Sequence, residues 1–397
     1  MKNIINKNLS DLKISGNYRI RKVKDSGNSN LFVYKGKSYL SFASNDYLSL
    51  SNDKRIITSA KKALDQHGFG TGSSPLISGY SKSHYKLEEE ISEYLGQEKT
   101  LLFSTGYQAN LGVISSIIKR KDNIIADQLN HASLIDGSIL SRANFKRYKH
   151  NKMASLEDII LRVKNSDNNT LIVSDSLFSM DGDLANLKEL NKISKKYSSL
   201  LLIDEAHAIG ILGKDGKGLV NKCSLNNKNH IFVTGTFGKA VGTYGAFFSG
   251  KEDYVEYVMQ KARGYIYSTS IPINAVEATR KSLKIISKEN WRREKLFSLI
   301  KYFKKNIKNI NYNTLSSDTH IQAIVIGDSK SALFISEELL KHGIYLPAIR
   351  PPTVEEGKSR LRVSLTVDHE ESDIDYLINI LDTISKNLVQ LKYEQKI

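Results

Sequence analysis

The run Thr236-Phe237-Gly238-Lys239-Ala240-Val241-Gly242-Thr243-Tyr244-Gly245 presents one lysine on a glycine-punctuated turn between the apolar runs Ile231-Phe232-Val233 and Ala246-Phe247-Phe248. The flanking runs read as short buried strands, so the Lys239 amine is expected between walls of low dielectric. Burial disfavours the ammonium form and lowers a lysine's pKa, which frees the neutral amine to act as nucleophile or base. The same ten residues also fit an ordinary Gly-Lys surface turn, and the other polar groups of the chain decide between the two.

Asp204 closes the apolar run Leu200-Leu201-Leu202-Ile203. A carboxylate emerging from such a strand needs a cationic or hydrogen-donating partner, unless it caps the turn that follows. His207, three residues on, reaches the same pocket or satisfies a core hydrogen bond. Gly106-Tyr107 opens a helix, and the free N–H groups of a helix start suit a phosphate. On the strand around Arg362, Leu361, Val363 and Leu365 face one way and Arg360, Arg362 and Ser364 the other. An arginine so placed holds a carboxylate through two parallel bonds or stays a solvated surface group. His131, before a helix, fits a stacking ring, a cap or a core histidine.

Asp204-Glu205-Ala206-His207 also spells the metal-binding strand of nucleic-acid helicases, and the chain is basic. The companion phosphate loop argues against that reading. The one Gly-x4-Gly-Lys match, Gly245 to Lys251, is followed by Glu252 where a magnesium-binding Ser or Thr is required, and it comes after the supposed partner strand. Gly68-Phe69-Gly70-Thr71-Gly72 does not open a helix straight after a strand, which excludes a dinucleotide fingerprint.

These groups need a frame. From His84 onward strands and helices alternate: helix Tyr85 to Leu95, strand Thr100 to Phe103, a helix from Gly106, strand Ile124 to Ala126, helices Leu134 to Arg142 and Leu156 to Val163, strand Leu171 to Val173, helix Leu187 to Tyr197 and strand Leu200 to Ile203. Such alternation predicts an α/β fold, a mainly parallel sheet flanked by helices, with its site beyond the carboxyl ends of the strands. Gly106-Tyr107, His131, Ser176 to Asp181, Asp204 to His207 and Thr236 to Lys239 each follow a strand, the pattern of one assembled site. Residues 1–44 read as an N-terminal arm with two small strands around Lys35-Gly36-Lys37, 45–285 as the large α/β domain, and 286–397 as a smaller C-terminal α+β domain. Within the last, Asn290 to Ile307 reads as a helix, Tyr345 to Arg350 as one strand, and Asp373 to Leu388 as the final helix.

Length and composition set outer bounds. At 397 residues and 40% apolar the chain can bury a large core. No apolar run reaches membrane-spanning length, and the N-terminus lacks the apolar segment of a signal peptide, so a cytoplasmic protein with no membrane partner is expected. The single cysteine excludes an internal disulfide and any Cys-rich metal site; no metal is expected. The net charge of +16 favours polyanions, but the lysines are scattered rather than gathered into an arm, so a nucleic-acid partner is not expected.

Together the motifs resemble the α-oxoamine synthases, fold-type I enzymes dependent on pyridoxal 5′-phosphate (PLP), from about Asn45 to His369. The resemblance rests on Thr236-Phe237-Gly238-Lys239 with Gly242 and Gly245, Ser44 to Leu48, His131-Ala132-Ser133, Phe178-Ser179-Met180-Asp181-Gly182, Asp204 to His207 and Tyr267-Ser268-Thr269-Ser270. Ala348 to Val354 is most similar to the family's biotin-pathway members. Tyr107 stands where relatives usually have phenylalanine, Ser73 and Pro75 where they usually have glycine and arginine, and Ser174-Asp175-Ser176 where a Thr/Asp-Glu-Gly/Ser pattern is usual.

The resemblance implies a set of roles. Lys239 would carry the cofactor and later take the α-proton, Asp204 would pair with the pyridinium nitrogen, His131 would stack on the ring, and Ser179 and His207 would bond its phenolic oxygen. Gly106, Tyr107 and Thr236 would hold the phosphate, with Thr269 or Ser270 reaching in from the second subunit of a homodimer. Arg362 would bind the amino-acid carboxylate with Asn45 beside the substrate, and Arg19, Arg21 and Thr353 would serve the acyl chain. The implied reaction is the decarboxylative condensation of L-alanine with a pimeloyl thioester carried by coenzyme A or an acyl carrier protein. A sister synthase, 2-amino-3-ketobutyrate CoA ligase, with glycine and acetyl-CoA, is the alternative.

Overall fold

The computed structural model describes residues 1–27, 29–163, 168–226 and 228–394, without the side chains of 388–394. They form two compact units, one of Met1–Ser49, Met180–Asp183 and Trp291–Ile397, the other of Leu50–Ser179 and Leu184–Asn290.

The second unit is built on a seven-stranded sheet of β1 (Lys99–Phe103), β2 (Asn123–Asp127), β3 (Asn144–Tyr148), β4 (Thr170–Asp175), β5 (Leu200–Asp204), β6 (Ile231–Thr236) and β7 (Ala246–Gly250), in the order β1-β7-β6-β5-β4-β2-β3. All pairs are parallel except those that β7 makes with β1 and β6. The reason lies in the Lys239 turn. Thr236 ends β6 and Ala246 begins β7, and a parallel crossover needs a dozen or more residues, so the chain must return antiparallel. Strands β2, β4 and β7 are buried at every residue, as expected of a sheet covered on both faces.

Strand β3 is absent from the expectation above. Its residues Asn144, Lys146 and Arg147 are exposed, and an edge strand is free to carry charge, so no apolar run announces it. Helices Gly106–Ile117 and Ala132–Leu140 pack closely because Gly137 has no side chain; a Cβ there would stand 3.1 Å from the Asn110 carbonyl.

Helix Lys82–Leu95 lies against the free edge of β1, where Glu88 accepts the Leu102 N–H (3.2 Å) and the Tyr80 hydroxyl (2.5 Å). Burial pushes the Glu88 carboxyl up to about 7, against the opposing pull of those two donors. An acid raised on folding stabilises the fold fully below its unfolded pKa, near 4.5, and that contribution is lost as pH rises through about 7. Glu88→Gln keeps an acceptor for Leu102 and a partner for Tyr80 without the charge. Its melting temperature is therefore expected to match wild type near pH 5 and to exceed it near pH 8.5, a gap that thermal melts across pH measure directly.

In the first unit, strands Leu31–Tyr34 and Lys37–Ser41 form a hairpin closed by Lys35 (φ 51) and Gly36 (φ 70), the left-handed pair that a two-residue turn requires. This hairpin pairs with Ile344–Tyr345, so the arm expected over residues 1–44 lies in the same unit as the C-terminal residues. The single strand expected over Tyr345 to Arg350 is instead two short ones. Ile344–Tyr345 joins the hairpin and Ala348–Ile349 joins Ser359–Ser364, with Pro347, which cannot donate to a ladder, between them. A four-stranded sheet runs Asn313–Thr314, Ile321–Gly327, Ser359–Ser364, Ala348–Ile349. Helix Lys2–Ile14, not foreseen, buries none of its residues; the last helix spans Glu371–Glu394. No helix among the described residues is long and apolar enough to cross a membrane.

Candidate functional site

Five strand ends of the second unit carry the groups picked out by type and spacing. Helix Gly106–Ile117 starts just after β1 with Thr105 as its cap, the Thr105 side chain accepting the Gln108 N–H. The Gly106 and Tyr107 amides in its first turn have no intrahelical acceptor. A Cβ on Gly106 would lie 3.6 Å from that of Thr236, so the helix start and the end of β6 face each other. The Thr236 hydroxyl donates to the Gly245 carbonyl (2.9 Å) and accepts the Gly238 N–H (3.3 Å), bracing the loop that carries Lys239. Gly242 in that loop has φ 70 and packs on the backbone of Leu50 and Ser51, where a Cβ would come within 2.6 Å of the Ser51 nitrogen. Lys239 is half-buried rather than enclosed, although Phe237, Ala240 and Val241 beside it are buried.

One helical turn after Gly106, about 6 Å along the axis, Asn110 organises a buried relay. Its Oδ1 accepts the Thr234 hydroxyl (2.7 Å), and its Nδ2 donates to Asp204 (2.7 Å) and to the Ser133 hydroxyl (2.9 Å). Ser133 Oγ lies 2.7 Å from His131 Nδ1. The Ser133 backbone N–H donates to Nδ1 (3.3 Å), so Nδ1 is the acceptor, the Ser133 hydroxyl donates to it and the imidazole proton sits on Nε2. Asp204 is buried, and its second oxygen accepts the Ala206 N–H (2.8 Å). Of the three possibilities for His131, the cap is observed: it precedes helix Ala132–Leu140 and accepts the Ser133 N–H, and it is not a core residue. Desolvation lowers the His131 pKa, Asp204 opposes that and the Lys239 charge adds to it, so the neutral ring is favoured.

His207 is buried and Ser179 half-buried. Tyr107 is exposed, its hydroxyl donating to Asp136, which gives the tyrosine a partner that phenylalanine would lack. Thr269 is exposed, whereas Ser270 is buried, its Oγ 2.6 Å from where a Cβ on Gly79 would stand. Of the two, only Thr269 is exposed on the single chain.

The residues expected on the substrate side lie in the first unit. Both Nη atoms of Arg362 donate to Asn45 Oδ1 (3.2 and 3.1 Å), and Nη2 donates to the Tyr47 hydroxyl (3.0 Å). Tyr47 in turn donates to Asn45 Oδ1 (2.8 Å). Arg19 donates to the Pro351 carbonyl (3.2 Å) and the Thr353 hydroxyl (3.3 Å), while Arg21 is exposed. Arg360, left open as a surface group, is buried and paired with Asp181. That pair belongs to Met180–Asp183, which sits in this unit, with Ser317 and Thr319 hydroxyls donating to the Gly182 carbonyl (2.8 and 2.9 Å).

The second unit's donor set suits PLP group by group. Open helix-start amides and a threonine suit a phosphate, a buried carboxylate a cationic ring nitrogen, a neutral imidazole a ring face, and a lysine amine an aldehyde.

The aminotransferase class I and II family matches residues 37–381. The chain is 41% identical to the 8-amino-7-oxononanoate synthase of Saccharophagus degradans over 386 residues, 97% of each chain. Among solved structures it is similar to serine palmitoyltransferase from S. paucimobilis, solved with bound PLP and myriocin (TM-score 0.91, 28% identity, 96% and 97% of the two chains). It is also similar to the 8-amino-7-oxononanoate synthase of Francisella tularensis (TM-score 0.77, 29% identity, 90% and 99%).

Proposed function

The chain belongs to the class I and II aminotransferase family, among its PLP-dependent 8-amino-7-oxononanoate synthases, and from that membership we propose that it condenses L-alanine with a pimeloyl thioester, losing carbon dioxide and thiol, in biotin biosynthesis. The observation that carries the reading is the convergence of Lys239, the Asn110-held Asp204, His131 and the Gly106-Tyr107 amides on strand ends of one sheet.

When bound, PLP supplies an aldehyde that joins to amines and a ring that draws electrons from the amino acid's α-carbon. Lys239 would hold the cofactor through its amine and would be the group that takes the α-proton. Asp204 keeps the ring nitrogen protonated, and Asn110 and the Ala206 amide keep Asp204 aimed. His131 would lie against a ring face, and Ser179 and His207 would bond the phenolic oxygen. Gly106, Tyr107 and Thr236 bind the phosphate, completed by Thr269 from the second subunit of a homodimer. Arg362 binds the alanine carboxylate and Asn45 lies beside it; Arg19, Arg21 and Thr353 meet the far carboxylate of the acyl chain. The enzyme acts in the cytoplasm, and its net charge of +16 suits an acidic acyl carrier protein as thioester donor as well as coenzyme A.

The direct test is product formation from L-alanine and pimeloyl-CoA against glycine and acetyl-CoA. The reading predicts turnover with the first pair; preference for the second would assign the sister activity. Comparing pimeloyl-CoA with pimeloyl-acyl carrier protein at low and high salt tests the donor, since equal rates at both salts would count against the carrier protein. Arg362→Lys, which cannot make two parallel bonds from one planar group, is expected to raise the KM for alanine about tenfold to a hundredfold with a smaller change in kcat. Steady-state kinetics in alanine check this.

A further inference from the structure

Asp175 ends β4 as Asp204 ends β5, and the two are direct partners in the parallel register. Both are buried. Their tasks differ: Asp204 faces Asn110 and the Ala206 amide, whereas Asp175 Oδ2 accepts the backbone N–H of His131 at 2.6 Å. The Asp175 N–H donates to Asn130 Oδ1 (3.0 Å), and Asn130 Nδ2 donates to the Val173 carbonyl (2.9 Å). Asn130 and His131, the corner between β2 and the next helix, are thus tied to the end of β4 by side chain and backbone together. His131 caps that helix, so its N–H lies outside the helical ladder and depends on a side chain for an acceptor. Because the imidazole is turned back onto Ser133, where the ring stands follows from where that backbone is held.

We propose that Asp175 is a positioning residue for the reaction: by accepting the His131 amide it sets the imidazole against the cofactor ring. The inference rests on the reading of His131 as the ring's neighbour. The charged groups around Asp175 decide the form in which it acts. Burial and the Asp204 charge push its carboxyl well above the usual carboxylate range, Asp127 adds to this, and the His131 amide and the Lys239 charge oppose it. Two carboxylates side by side in a dry site favour keeping one neutral. A neutral acid and an amide share shape and acceptor, so asparagine is the conservative replacement.

The test is a mutant cycle read by PLP affinity, from absorbance titration, and by the circular dichroism of the bound cofactor. Asp175→Ala is expected to weaken PLP binding about tenfold, the scale of one lost buried hydrogen bond, and to alter the dichroic band. Asp175→Asn should recover most of that loss. In a His131→Ala background Asp175→Ala should cost little more, because contacting residues that act through one another are non-additive. Additive losses, or an asparagine variant as weak as the alanine one, would overturn the proposal. If His131→Ala by itself left affinity and dichroism unchanged, the reading of His131 would fall and the inference with it; if His131→Ala weakened binding and Asp175→Ala did not, the inference alone would fall. Asp175→Ser, polar but too short to reach the amide, repeats the test should the alanine variant not fold.

Discussion

Lys239→Ala is expected to lower product formation by roughly 10⁴-fold, the upper range for losing a positioned acid–base group, with little change in the melting temperature of the cofactor-free protein. The two outcomes separate because of where the residue sits. The loop is shaped by Thr236, by Gly242 against Leu50 and Ser51, and by the hydroxyl pair Thr243–Thr279 (2.7 Å), none of which needs the lysine side chain. Lys239 is half-buried, so its truncation opens no cavity in the core. Turnover assays beside thermal melts measure both. A fall in stability matching the fall in rate would mean that the residue is structural.

Asp204→Asn should be nearly as severe in rate, by a different route. The replacement keeps the side chain's shape and one of its two acceptors, but it turns an NH2 toward either the Asn110 amide or the Ala206 N–H and removes the charge. Losing one member of a buried hydrogen-bonded charge pair costs about 2–5 kcal/mol, here a fall in turnover of roughly thirtyfold to five-thousandfold. Asp204→Ala adds a structural loss, since it leaves the Asn110 amide and the Ala206 N–H facing an empty acceptor position. The expected order in melting temperature is therefore wild type, Asp204→Asn, Asp204→Ala, whereas both variants are slow. Asn110→Ala should fall between, because it frees Asp204 without removing it.

Much of the sheet and the polar groups at its strand ends could be read from the chain because each follows an apolar run. A polar residue at the end of a buried strand has few places to go, and that logic placed Asp204, His131 and Thr236. It fails for Asn110, which sits mid-helix and looks like a poor helix former; only its spacing of four from Gly106 puts it on the same face, and only the fold puts Asp204 opposite. Tyr47 and Arg362 are bonded across more than three hundred residues, and Arg360 finds Asp181 across 179. No local pattern carries such pairings. Strand β3 was hidden because an edge may be charged, and helix Lys2–Ile14 because its apolar residues serve no core within the chain. The burial expected of Lys239 was inherited from its neighbours, whereas the lysine itself is only half-buried.

The most direct measurement is chemical. Incubating the protein with PLP, reducing with borohydride and mapping the modified peptides by mass spectrometry asks which amine the cofactor occupies. One pyridoxyl group on Lys239 per chain, lost in Lys239→Ala, is the predicted result; labelling spread over other lysines with Lys239 unmodified, or no stable label at all, would contradict the account.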